Sequence, residues 1–63
     1  MKKQPYMTEE ARAIFNDLNA TPATASQIAE HTHISTARCQ FILTQLVMAG
    51  LAIYQFGYYK HCQ

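Results

Sequence analysis

Between residues 24 and 51 the chain reads TASQIAEHTHISTARCQFILTQLVMAGL, two apolar runs at helical spacing parted only by the polar break His31-Thr32-His33. A break so short leaves no room for a long connection, so the two helices must turn sharply and bury their apolar sides against each other. The boundaries carry their own chemistry. Thr24 followed three residues later by Gln27 has the capping-box pattern, in which each side chain satisfies the other residue's backbone N–H. This predicts a short helix over about residues 25–31 that buries Ile28 and Ala29. Ser35 stands at the next N-cap position, and Gly50 lies just past the last periodic residue, where a left-handed backbone closes a helix cheaply. The second run is therefore expected to be a helix over about residues 36–49.

The flanks must cover what these two helices cannot. Thr8 reads as an N-cap, with Glu9 and Glu10 suited to the positive end of a helix that runs to about residue 19. Ala11, Ile14, Phe15 and Leu18 recur there at three and four residues and make one buried stripe. Residues 20–23, with Pro22, read as a connection. After Gly50 the period changes to two, which predicts a β-hairpin turning near Phe56-Gly57. Leu51, Ile53, Tyr59 and His61 are expected to point inward, and Tyr54, Tyr58 and Lys60 outward. The fold class expected is mostly α with a small β-hairpin, divided into a flexible N-terminal arm of residues 1–7 and one domain of residues 8–63. The arm carries Lys2, Lys3 and Pro5.

The totals narrow the function. A 63-residue chain buries only about 60% of its unfolded surface, so its core is small. Composition is 49% hydrophobic and 14% charged, with net charge +1. Charged residues usually make up about a quarter of a soluble domain, so part of the apolar excess is expected at an interface. Five Lys and Arg residues are too few for a broad basic face, and DNA affinity per monomer should be weak. No apolar run approaches the roughly 20 residues that span a bilayer, and residues 1–7 lack the apolar core of a signal peptide. A cytoplasmic protein without membrane contact is expected, with Cys39 and Cys62 reduced.

Three helices, the last two joined by a tight turn, followed by a hairpin, have the order of a winged helix-turn-helix. The stretch ISTARCQFILTQLVMAGLAIY resembles the pattern of small bacterial winged-helix regulators, in which an aliphatic residue and Ser open the recognition helix and Leu-x-x-Leu-x-x-x-Gly-Leu closes it. Ile34-Ser35 and Leu43, Leu46, Gly50 and Leu51 hold those places here. QIAEHTHIS is similar to the family's second helix, and Gly57 to Tyr59 to a wing turn followed by an aromatic strand residue. In size the chain resembles the short stand-alone regulators of fimbrial operons. The resemblance implies a transcriptional regulator from a bacterium, a phage or a plasmid that binds double-stranded DNA. It places Ser35, Thr36, Arg38, Gln40, Thr44 and Gln45 toward the major groove. Arg38 suits guanine and Gln40 suits adenine. Tyr58 and Lys60 would lie along the backbone from the wing.

The recognition helix departs from that pattern by being apolar on nearly every side. Phe41, Ile42, Val47 and Met48, with Tyr54 of the hairpin, are candidates for a partner interface, either between two copies of the chain or with a larger protein. A winged helix used only as a protein-interaction module is the competing reading. His31, His33, Cys39, His61 and Cys62 are metal-ligand types, but their spacing matches no recognised zinc pattern. Cys39 falls where the family has a buried aliphatic residue, which leaves a thiol inert. No metal, no cofactor and no enzymatic activity are expected.

Overall fold

The computed structural model describes residues 8–62, apart from the side chains of Asn19 and Ala20. The N-terminal arm with Lys2 and Lys3 lies outside the described residues. Three helices, α1 (Glu9–Ala20), α2 (Ala25–Thr32) and α3 (Thr36–Met48), precede two strands, β1 (Ala52–Gln55) and β2 (Tyr58–His61), paired as an antiparallel hairpin. No helix among the described residues is long and apolar enough to cross a membrane.

Each helix begins where a side chain replaces a missing backbone partner. Thr8 Oγ1 accepts from Ala11 N at 3.1 Å, and Ser35 Oγ accepts from Arg38 N at 3.2 Å. Thr24 and Gln27 close the complete capping box, with Gln27 N donating to Thr24 Oγ1 at 3.1 Å and Thr24 N donating to Gln27 Oε1 at 3.0 Å. At the far end of α2 the turn is made by His33 in a left-handed conformation, φ 61°, whose N–H donates to Ala29 O at 2.9 Å. One residue past its C-cap, α3 ends on Gly50, φ 79°. Gly50 N donates to Val47 O at 3.0 Å and Leu51 N to Leu46 O at 2.9 Å, the two bonds of a Schellman motif.

The core is one cluster. Ile14 and Leu18 from α1, Ile28 from α2, and Cys39, Ile42, Leu43 and Leu46 from α3 meet Ala23 and Ala52. β1 packs along α3 and β2 along α1. The Phe15 ring lies 4.8 Å from the His61 ring, centroid to centroid, which ties α1 to β2.

Two expectations are corrected. The Schellman bond uses the Leu51 N–H, so the ladder starts at Ala52 instead of Leu51 and the first strand is shifted by one residue. Register pairs Ala52 with His61 and Tyr54 with Tyr59, so these four share the inner face, while Ile53, Gln55, Tyr58 and Lys60 share the other. Tyr54 therefore leaves the Tyr58 and Lys60 face and stacks on Tyr59 with ring centroids 4.7 Å apart. The connection between α1 and α2 is also more than a link. Ala23 exchanges two backbone bonds with Tyr59, Ala23 N to Tyr59 O at 3.0 Å and Tyr59 N to Ala23 O at 2.8 Å, and so adds a one-residue third strand to the hairpin.

Candidate functional site

The face of α3 opposite the core is open. Cys39, Ile42, Leu43 and Leu46 point inward, and helical spacing places Ala37, Phe41, Thr44 and Met48 in a stripe on the far side. Phe41 is 59% exposed and Met48 81%. Thr36 and Gln40 flank the stripe on one side, Arg38 and Gln45 on the other. Ser35, Thr36, Arg38, Gln40, Thr44 and Gln45 are all exposed, but three of their side chains already have partners within the chain, Ser35 Oγ being the N-cap acceptor of Arg38 N. Thr44 Oγ1 donates back to Gln40 O at 2.8 Å, a bond within the helix. Arg38 turns toward α1, where its Nε and Nη2 donate to Glu10 Oε1 at 2.8 and 2.7 Å. The pair is solvent-exposed and stabilises the fold by about 1 kcal/mol at most.

Of the expected partner surface, Phe41 and Met48 are available. Val47 is half-buried against the core, and Tyr54 is exposed but engaged by Tyr59. Ile42 is a correction. It is only 5% exposed and belongs to the core, because it follows Cys39 by three residues and precedes Leu46 by four on the inner stripe.

Tyr58 and Lys60 share the outer face of the hairpin and both are exposed. At its tip a two-residue turn places Phe56 at φ 55° and Gly57 at φ 83°, the pattern of a type I′ turn, which favours Asn-Gly or Asp-Gly. Phe56 is 91% exposed. A left-handed backbone costs a side-chain-bearing residue roughly 1–2 kcal/mol, so Phe at this place is a local departure from what the turn prefers. The place of the turn is legible in the sequence, and the departure is signalled by the pair Phe-Gly where Asn-Gly is usual.

A second signal also lies in plain view along the chain. All four carboxylates, Glu9, Glu10, Asp17 and Glu30, precede residue 31. From His31 onward the fixed charges are Arg38 and Lys60 alone, so α3 and the hairpin carry no acidic side chain. A shallow groove of about 430 Å³ marks the border, lined by Ser26, Gln27 and Glu30 of α2 and by Ile34, Ser35 and Thr36 at the start of α3. Its charged wall is Glu30, which repels phosphate.

The chain matches, over residues 3–53, the family described as DprA winged helix domain. It belongs to that winged helix family. The match takes in all three helices and β1 up to Ile53 and stops before the wing turn, so the Phe56-Gly57 tip and β2 are known from the structure alone. No curated protein and no solved structure matches this winged helix domain.

The His and Cys side chains are held apart. His31 Nδ1 pairs with Asp17 Oδ2 at 3.1 Å, linking α2 to α1, and His61 lies on Phe15. Cys39 is fully buried, with Sγ donating to Ile34 O at 3.7 Å and lying 4.0 Å from Thr32 Oγ1. Burial pushes its thiol above the ordinary value of 9.0. The Thr32 hydroxyl partly opposes that shift, and the charge of Glu10 adds to it. Both cysteines are free, and no three His, Cys, Asp or Glu side chains among the described residues converge as a metal site would need.

Proposed function

We propose that this winged helix domain is a sequence-specific DNA-binding transcriptional regulator of the cytoplasm, acting without catalytic chemistry. It would set α3 in the major groove and the hairpin against the backbone. The observation that carries this reading is the charge division. Every Asp and Glu sits on α1 or α2, and the half of the chain that presents an open helix face and a wing has Arg38 and Lys60 and no acidic side chain of its own, so the acids near it are Glu10, paired with Arg38, and Glu30, at the border of α3. Gln40, Gln45, Thr36 and Ser35 supply exposed polar groups to base edges. Two cations per copy give few phosphate contacts, so binding is weak and shallow in salt dependence for a monomer. A homodimer, which doubles the contacts on a two-fold operator, fits that shortage.

Selection from random-sequence duplexes at low salt, followed by anisotropy titration, tests the reading. Gln40→Glu on the open face is expected to weaken binding strongly, while Asn16→Glu, on the exposed side of α1, leaves it nearly unchanged. Sedimentation of the free protein tests the dimer. The second reading, a protein-interaction module, is favoured by Phe41 and Met48, whose exposed side chains give α3 an apolar stripe. It takes over if wild type enriches no duplex at low salt.

A further inference from the structure

We infer that Phe56, at the tip of the hairpin, is an aromatic wedge that enters the minor groove beside the α3 site and unstacks a base step there. The inference rests on the DNA-binding reading above and adds to it a specific contact and a deformation of the duplex.

The turn explains why the tip residue is not a filler. A type I′ turn needs positive φ at both central positions, and Gly57 meets that need freely, whereas Phe56 meets it at φ 55° against its own preference. The core does not use this side chain, which is 91% exposed. A strained backbone that holds a large apolar ring in water works against the fold's own stability, and such departures gather at binding sites. The presentation is also rigid. The hairpin is anchored at its base by Leu51 N–H on Leu46 O and Cys62 N–H on Leu51 O, and along its edge by the Ala23–Tyr59 pair, so its direction is set by the end of α3.

Charge and position select the occupant. Around the tip are exposed Tyr54 and Tyr58, and Lys60 stands on the Tyr58 face, with no Asp or Glu side chain after Glu30 in the sequence. Aromatic rings with a cation and no acid complement stacked bases flanked by phosphate. The wing follows α3 after a three-residue connection, and on the DNA-binding reading its tip is assigned to the minor groove that neighbours the α3 site. Apolar side chains inserted at such places partly unstack the step and kink the duplex.

The test uses duplexes selected by the wild-type protein, carrying aminopurine at the steps flanking the α3 site and a donor and acceptor dye at the two ends. Wild type is expected to raise aminopurine fluorescence at one flanking step and to shorten the end-to-end distance. Phe56→Asn suits the turn, so its thermal midpoint should rise. Its affinity should fall roughly tenfold or more, as loss of a stacked aromatic does, with both optical signals gone. Phe56→Trp should keep them. A Phe56→Asn protein that binds and bends the duplex as wild type does overturns the wedge and leaves the DNA reading standing. Wild type that selects no duplex overturns both.

Discussion

The two halves of this molecule treat apolar residues differently. On α1 and α2 the large apolar side chains turn inward, and the exposed positions are Glu, Arg, Asn, Ser, Gln and His with the small Ala13. On α3 and the hairpin the inward stripe is just as complete, yet Phe41, Met48, Leu51, Tyr54, Phe56 and Tyr58 are exposed as well. Single exposed apolar residues are ordinary on any surface, but among the described residues six that all fall within residues 41–58 are a grouping. The carboxylates divide the same way, all on α1 and α2. One half therefore keeps its large apolar side chains out of water, and the other leaves six of them exposed.

The inner and outer stripes of α3 offer the sharpest way to break this comparison. Leu43→Ala removes a fully buried side chain and is expected to destabilise by about 2–5 kcal/mol, enough to unfold much of so small a domain. Phe41→Gln, two residues earlier, should change stability by no more than about 0.5 kcal/mol while reducing partner binding. Thermal melts of both variants decide it, and equal losses would mean that the outer stripe is also core.

The two thiols extend the contrast from packing to reactivity. Cys39, held neutral by burial, should alkylate at least about tenfold more slowly than half-buried Cys62 near neutral pH, a difference read by mass spectrometry. Because folding raises the Cys39 value, the unfolded chain ionises first as pH climbs. Stability from this group is thus intact below 9.0 and declines above it.

Smaller effects sharpen the account of the helical half. Thr24→Ala removes one side of the capping box and should cost about 1 kcal/mol, seen as an earlier melt. Glu10→Gln breaks the exposed pair with Arg38, and the expected loss of stability is less than about 1 kcal/mol. The same change frees the guanidinium beside α3, so DNA titration should show affinity rising several-fold. A fall would assign Arg38 to holding α1 and nothing else.

What the sequence alone determined here is what neighbours within five residues decide. The caps at Thr8, Thr24 and Ser35, the glycine stop at Gly50 and the turn at Phe56-Gly57 are local hydrogen-bonding and backbone problems. Each is solved by the residues that stand there. The inner stripes were legible for the same reason, because helical spacing sorts Ile14, Leu18, Ile28, Leu43 and Leu46 onto single faces. The polar residues at the start of α3 were legible as exposed, but what they touch was not. The tertiary structure alone decided the pairings between distant parts. Arg38 meets Glu10 across 28 positions, and Ala23 joins Tyr59. The one-residue shift of β1 followed from how α3 ends. Helix 3 is apolar on several sides, so its composition admits more than one inward face. Only the docking of α1, α2 and the hairpin selected the face with Ile42 in the core and left Phe41 and Met48 exposed.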